Sequence, residues 1–143
     1  MNTIYADIIL FDSIGMSYDG NTLHTHGMGG SEFQAILLLE ELAKLGKSVI
    51  CLNNVTEQKK INGVMYLPNT SVNQYQFQCK NLIIHRYSDI PKIAHKKAFV
   101  WATDLNGPHN FSSKRSVVRF SSKTTYHQTH QIFYPSYHFE YLW

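Results

Sequence analysis

The sequence contains few cysteines, and they do not form a recognisable framework. Cys51 and Cys79 make no C-x-x-C pair and no disulfide pattern of the kind that small secreted domains carry. A chain of 143 residues is long enough to bury a core without a disulfide or a metal ion. Cys51 ends an apolar run, so we expect a buried free thiol there and a reducing, cytoplasmic compartment.

Long apolar runs are absent as well. None approaches the roughly 20 residues that a transmembrane helix needs. The N-terminal residues MNTIYADIILF have neither the basic region nor the long apolar region of a signal peptide. The sequence therefore predicts no transmembrane segment and leaves peripheral membrane contact open.

Neither positive nor negative charges are in large excess. Lysine and arginine total 13 against 10 aspartate and glutamate residues, which gives a formal net charge of +3. The basic residues are scattered, and no nucleic-acid-binding motif accompanies them, so we do not expect nucleic acid as the main partner. The content of 43% hydrophobic and 16% charged residues is typical of a globular chain, and the length fits a single domain over residues 1–143.

Apolar runs of strand length alternate with helical or loop segments along the chain. The predicted strands cover residues 8–11, 48–52, 60–69, 81–85, 98–102 and 116–120. Runs of this kind are typical of a parallel sheet that is covered on both faces. The sequence thus predicts an α/β fold with a mainly parallel sheet and helices on both faces. Residues 71–79 are unassigned, and the aromatic tail 126–143 is open between a closing helix, a linker and an interface.

The clearest helix is predicted over residues 31–45. Its apolar residues recur at helical spacing, and they are Ala35, Leu38, Leu39 and Leu42. Ser31 is the predicted N-terminal cap, and Gly46 is the predicted left-handed residue at the C-terminal end. Together with the strands on either side, this helix forms a strand–loop–helix–strand unit.

A glycine-rich loop precedes that helix, in the string His26-Gly-Met-Gly-Gly-Ser-Glu32. Glycines let a backbone approach a ligand closely, and the N–H groups of a helix N-terminus attract anions. One interpretation is a dinucleotide fingerprint, but Glu32 replaces its third glycine, and Asn53 and Asn54 stand where an acidic residue is needed. A second interpretation is a structural turn and helix cap.

The third interpretation is a resemblance. The string GMGGSEFQAILLLEELAKLGKSVICLNN resembles the first βα unit of the retaining family-four glycosyltransferases. The later strings NLIIHR, FVWATD and VVRFSS resemble the strand ends that follow in that family, so the resemblance spans most of residues 4–126. It implies a GT-B enzyme made of two Rossmann-like domains, of which this chain is the N-terminal, acceptor-side half.

The resemblance also implies a set of substrate-binding residues at the carboxyl ends of parallel strands, where ligands bind in open α/β sheets. They are His26, Gly29, Gly30, Glu32, His85 and Asp104. Purely structural roles remain as alternatives, since His85 can satisfy the backbone and Asp104 can cap the turn before Asn106-Gly107-Pro108. No catalytic residue is assigned.

The function that the resemblance implies is transfer of a sugar, with retention, from a nucleotide-sugar to a glycan or another hydroxyl acceptor. The nucleotide-sugar is expected on a C-terminal donor domain that this chain lacks. We therefore expect no cofactor on this half and no turnover by it alone. The spacing of Glu32 and Glu40 matches the E-x7-E motif of donor domains only by coincidence. The alternative is a non-catalytic, truncated Rossmann-like module that binds sugar, nucleotide or a protein.

Histidine is frequent, with eight residues, and invites a metal hypothesis. The close pairs are His24 with His26 and His127 with His130. Neither pair comes with cysteines or carboxylates at an established zinc spacing. The sequence therefore predicts no metal site.

Overall fold

The computed structural model describes residues 2–25, 27–86, 91–101, 131–134 and 139–142. They form one sheet of eight strands with one long helix packed on it. The strands are β1 (Thr3–Phe11), β2 (Val49–Asn53), β3 (Lys59–Ile61), β4 (Val64–Pro68), β5 (Gln76–His85), β6 (Ile93–Trp101), β7 (Gln131–Tyr134) and β8 (Phe139–Leu142). The helices are α1 (Thr22–Thr25) and α2 (Gly30–Lys44), and a 3-10 turn covers Asn69–Asn73.

The strands lie in the order β3-β4-β2-β1-β5-β6-β7-β8. Neighbours from β4 to β7 pair in parallel, whereas β3 with β4 and β7 with β8 pair antiparallel at the two edges. This confirms the prediction of an α/β fold with a mainly parallel sheet. The described residues place one long helix on one face, and a helix on the opposite face stays a prediction.

The chain adds its strands on one side of β1 up to β4 and then on the other side from β5 onward. From β1 the chain passes through α2 to β2 on one side, and the later strand β5 pairs with β1 on its other side. The carboxyl ends of β1 and β5 therefore lie next to each other at a topological switch point, which is where open α/β sheets bind ligands. The strand order alone thus marks one place in the fold for a site.

The core has two layers, one on each face of the sheet. On the helix side, Ala35, Ile36 and Leu39 of α2 pack with Leu10 and Cys51 of the sheet. Both cysteines are buried free thiols, as expected for Cys51. On the other face a second cluster includes Ile9, Leu52, Leu82 and Ile84, with Val72 of the 3-10 turn packed against it.

The predicted C-terminal end of α2 is confirmed, but its predicted N-terminal cap is not. Gly46 adopts a φ of +83°, which confirms it as the left-handed residue after the helix. The predicted cap at Ser31 is wrong, because the N-cap residue is Gly29 and no side chain caps the helix. The Ser31 hydroxyl instead donates to the Glu32 carboxylate at 3.0 Å.

Residues 60–69 do not form the single strand that the apolar pattern predicts. They form most of a hairpin of β3 and β4, which turns at Asn62 and Gly63. Both residues have positive φ, +50° and +82°, which is the geometry of the two-residue turns that match strand twist. Asn-Gly is a strong hairpin signal, so this turn was readable from the sequence.

The observed limits of other strands also differ from the predicted ones. β1, β5 and β6 begin earlier than predicted, because their amino-terminal halves alternate exposed and buried residues and so lack a continuous apolar run. In the aromatic tail, Gln131–Tyr134 and Phe139–Leu142 are strands, so a closing helix over those residues is wrong. The predicted strand 116–120 lies outside the described residues. No helix in the described part of the chain has the length and apolar character to cross a membrane.

Candidate functional site

A cluster of polar side chains lies at the switch point, beneath the N-terminus of α2. Phe11 pairs with Ile84 across β1 and β5, which brings the next residues, Asp12 and His85, side by side. Both side chains are fully buried. Strand alternation directs them to the face of the sheet on which α2 packs, so the N-terminal end of α2 lies over them.

The carboxylate of Asp12 is the centre of this cluster. Its Oδ2 atom accepts hydrogen bonds from the Tyr18 hydroxyl at 3.0 Å and from Arg86 Nη2 at 3.1 Å, and it lies 2.9 Å from His85 Nδ1. Its Oδ1 atom accepts from the backbone N–H of Ile14 at 3.0 Å. Burial raises the pKa of Asp12, but the hydrogen bond from His85 and the charge of Arg86 outweigh it and hold the pKa below the ordinary 3.8.

The imidazole of His85 has a defined orientation. Arg86 Nε approaches the same Nδ1 atom at 3.4 Å, but the contact of Nδ1 with Asp12 is shorter and ends on a carboxylate. We therefore assign the Nδ1 proton to the bond with Asp12. The ring also meets the edge of Trp101, with centroids 5.3 Å apart and planes at 66°.

Arg86 connects the strand end to the helix. Its Nη2 atom lies 2.7 Å from Glu32 Oε1 as well as 3.1 Å from Asp12 Oδ2. Arg86 itself has a φ of +60°, a left-handed conformation that non-glycine residues rarely adopt. Gly15, with a φ of +88°, gives the guanidinium room, because a Cβ there would lie 2.9 Å from Nη1.

The Glu32 carboxylate folds back over the start of its own helix. Burial raises its pKa, but the hydrogen bond from its own backbone N–H and the charge of Arg86 outweigh burial and lower the pKa from 4.5. A Cβ on Gly29 would lie only 2.5 Å from Glu32 Oε2, whereas a Cβ on Gly30 would meet nothing within 4 Å. The helix N-terminus that was expected to attract an external anion thus already holds an internal one.

Three asparagines hold the loop that carries Asp12 and Tyr18. Asn53 Nδ2 donates to the Tyr18 carbonyl at 2.8 Å, and Asn54 Nδ2 donates to the Gly15 carbonyl at 2.8 Å. Asn69 Nδ2 donates to Asn54 Oδ1 at 2.7 Å. The position after β2 that a dinucleotide site reserves for a ribose-binding acid is therefore used to fix the loop, which argues against that interpretation.

The structure brings four of the predicted site residues into one neighbourhood. The start of α2 contains Gly29, Gly30 and Glu32. Arg86 contacts both Glu32 and His85, so His85 lies close to the start of the helix. His26 and Asp104 lie outside the described residues.

The sequence prediction missed Asp12, Tyr18 and Arg86 as site residues. Asp12 directly follows the first apolar run, and Arg86 directly follows His85, so both stood at predicted strand ends. Only Tyr18, in the middle of a loop, had no pattern to mark it.

No group of three or more histidine, cysteine, aspartate or glutamate residues in the described ranges is arranged to hold a metal ion. No protein-family model, curated protein or solved structure matches the chain.

Proposed function

We propose that the chain is a Rossmann-like, acceptor-binding half of a glycosyltransferase. In this proposal the complete enzyme moves a sugar from a nucleotide-sugar to a glycan or another hydroxyl acceptor with retention, and a second domain holds the donor. One observation carries the proposal: Asp12 of the β1 end and His85–Arg86 of the β5 end meet Glu32 of the glycine loop at the switch point of a parallel sheet. Such switch points are where open α/β sheets bind ligands.

The charge of the cluster favours a hydroxyl ligand over a phosphate. Two carboxylates, Asp12 and Glu32, share the single guanidinium of Arg86. Among the described residues of the cluster, a diphosphate placed beside them meets two like charges and the one cation Arg86, which is already paired. Sugar hydroxyls both donate and accept, so they can bond to the exposed parts of Arg86 and Glu32, whose side chains are 13% and 8% exposed, while the buried Asp12 holds Arg86 in place. This charge pattern supports the acceptor half rather than the half that holds a nucleotide diphosphate.

Gly30 supports close approach of such a ligand. Its φ lies outside the left-handed region, and a Cβ there would meet nothing within 4 Å, so the fold itself does not require glycine at this position. Gly29 differs, because the folded-back Glu32 carboxylate excludes a side chain there. A glycine that packing does not demand, at the rim of a ligand site, fits a role in admitting a ligand to the backbone.

The test is a titration of the chain with free sugars and, separately, with nucleotide-sugars, read by calorimetry. The site variant is Glu32→Gln, and the matched control is Glu41→Gln on the same helix, where the side chain is exposed and pairs with Lys44. We expect sugars to bind, and Glu32→Gln to weaken that binding about tenfold through loss of a charged hydrogen-bond acceptor. Glu41→Gln should bind as the parent chain does.

Two results count against the proposal. Nucleotide-sugars that bind more tightly than free sugars, with equal sensitivity to Glu32→Gln, would place the donor on this half. Turnover of a nucleotide-sugar by this chain alone would contradict the assignment of an acceptor half. Sugar binding by this chain that never leads to transfer, in the presence of a donor domain, would instead identify a non-catalytic sugar-binding module.

A further inference from the structure

The amino-terminal halves of β1, β5 and β6 leave one face of the sheet open to solvent. On the face opposite α2, these halves contribute buried core residues, which are Ala6, Phe77, Cys79 and Ile93. Strand alternation therefore directs the neighbours of these residues to the face on which α2 packs. Those neighbours are exposed, and they are Tyr5, Gln76, Gln78, Lys80, Ala94 and Lys96. Parallel sheets are normally covered on both faces, so this exposed area is available to a partner.

An irregularity in the three strands brings two consecutive lysines onto the same face. The pairing of β1 with β5 and of β5 with β6 is interrupted in one row, which contains Asp7, Lys80 and Lys96. Ile93 and Ala98 of β6 both belong to the core opposite α2, although an odd number of residues separates their positions, so the alternation breaks between them. The interruption locates that break at Lys96, which places both Lys96 and Lys97 on the α2 face. A break of this kind re-aims side chains as a β-bulge does.

This face carries positive charge that the described residues do not neutralise. The strands β5 and β6 contain no aspartate or glutamate. Lys80, whose side chain is 53% exposed, has its Nζ atom 3.1 Å from Asp7 Oδ1, so these two charges compensate each other. Lys96 and Lys97 form no ion pair within the described ranges. Two exposed ammonium groups on consecutive residues favour an anionic partner.

The other exposed side chains of this face favour a sugar. Gln76 and Gln78 both donate and accept hydrogen bonds, as sugar hydroxyls require. Tyr5 is 52% exposed and pairs with Gln78 across the strands, so its ring is available to pack against one sugar ring. Proteins that bind single-stranded nucleic acid stack successive bases on several aromatic side chains, whereas the described part of this face holds one.

We propose that a basic face, made of Tyr5, Gln76, Gln78, Lys80, Lys96 and Lys97, binds an oligosaccharide whose sugars carry carboxylate groups. The carboxylates lie at the two consecutive lysines, and one sugar ring packs on the tyrosine. The basic face extends about 10 Å from β1 to β6, which is wider than a single sugar ring. It lies on the amino-terminal halves of the strands, whereas the polar cluster lies at their carboxyl ends. Binding at the basic face is therefore independent of the proposed function.

The experiment measures binding of a linear hexamer of galacturonic acid by calorimetry on the full chain, with maltohexaose as an uncharged probe of the same length. We expect the uronate hexamer to bind and maltohexaose to bind far more weakly. Lys96→Gln combined with Lys97→Gln should weaken uronate binding about fivefold, because two exposed charge contacts are lost. The matched control is Lys59→Gln combined with Lys60→Gln, a consecutive pair of exposed lysines on β3 that should leave binding unchanged.

Two further measurements examine the charges and the ring separately. Uronate binding by the parent chain should weaken as the salt concentration rises from about 50 mM to about 500 mM, because exposed charges are screened. Tyr5→Thr keeps a strand-forming residue and removes the ring, so it should weaken binding about threefold while the salt dependence persists. Unchanged affinity in Tyr5→Thr would count against a sugar ring on this face.

Equal losses in the two lysine pairs would reveal general attraction to a basic chain and overturn the proposal. Equal binding of maltohexaose, tighter binding of a thymidylate hexamer, or no binding of the uronate hexamer would overturn it as well. Free sugars should bind the polar cluster equally well when Lys96→Gln and Lys97→Gln are combined, so failure at the basic face leaves the proposed function standing. Loss of free-sugar binding in that variant would contradict two separate sites.

Discussion

Arg86 and Glu32 lie 54 residues apart in sequence, yet Arg86 Nη2 and Glu32 Oε1 are 2.7 Å apart in the fold. The same guanidinium nitrogen reaches Asp12 at 3.1 Å. Arg86 therefore links the carboxyl ends of the neighbouring strands β1 and β5 to the start of α2, the long helix that follows β1 in the chain. Four consequences of this arrangement and of the surrounding fold can be measured.

Arg86→Met should destabilise the chain. Methionine keeps much of the side-chain volume but leaves the carboxylates of Asp12 and Glu32 close together without their cation. We expect a loss of about 2–4 kcal/mol in the free energy of unfolding, measured by urea denaturation, since removing one partner of a buried ion pair is costly. Lys44→Met is the control, because its ion pair with Glu41 is exposed to solvent and should contribute little to stability. Similar losses in both variants would contradict the role of Arg86.

Tyr18→Phe removes the hydroxyl that donates to Asp12. Tyr18 is almost fully buried, and burial raises the pKa of its hydroxyl well above 10.0, so the group acts as a neutral donor. We expect a loss of about 1.5–3 kcal/mol, the range for a hydrogen bond to a charged group. Tyr75→Phe, at an exposed position, should change little.

A double-mutant cycle tests that interpretation of Tyr18. In an Asp12→Asn background the carboxylate is gone, so Tyr18→Phe should cost clearly less than in the parent chain. Additive losses in the two single variants would show that Tyr18 acts through packing alone.

Acid should unfold the chain partly by protonating the cluster. The pKa values of Asp12 and Glu32 are lower in the folded chain than their ordinary 3.8 and 4.5. A group with a lowered folded pKa contributes stability that is complete above its unfolded pKa and is lost as the pH falls through its folded pKa. The free energy of unfolding should therefore fall as the pH drops below about 4.

Asp12→Asn removes one of these titrating groups and should make that decline less steep. Some decline will remain, because the backbone N–H of Ser48 and the side chain of Lys80 lower the pKa of Asp7 to about 2. Urea denaturation of both chains between about pH 5 and pH 3 measures the two slopes. Parallel curves would mean that Asp12 does not contribute to acid unfolding.

Gly63→Ala should weaken the edge hairpin. Gly63 has a φ of +82°, and a Cβ there would lie 3.1 Å from the Cβ of Ala43 on α2. We expect a loss of about 1–2 kcal/mol from backbone strain and crowding, measured by thermal or urea unfolding. Gly27→Ala is the control, because its φ is not positive and a Cβ there would meet nothing within 4 Å. Equal effects of the two substitutions would contradict this account of the turn.

Local patterns were sufficient for much of the fold. The helical spacing of Ala35 and Leu39 predicted α2, and Gly46 predicted its end, because amphipathic periodicity and left-handed glycine are properties of short segments. The hairpin at Asn62-Gly63 was missed although its signal is just as local. The apolar residues of 64–68 favoured one longer strand over residues 60–69, and the turn within it was therefore not predicted.

The sequence by itself determined the alternation of strands and helix, the glycine loop and the polar residues at the strand ends, because each depends on a few neighbouring residues. Only the tertiary structure decided that Asp12, Arg86 and Glu32 share their charges, and that β5 and β6 direct their lysines to one exposed face. Strand order and parallel register place distant residues side by side, and that information is spread over the whole chain. The direction in which Arg86 points, and the carboxylates it therefore neutralises, follows from the packed fold rather than from any motif.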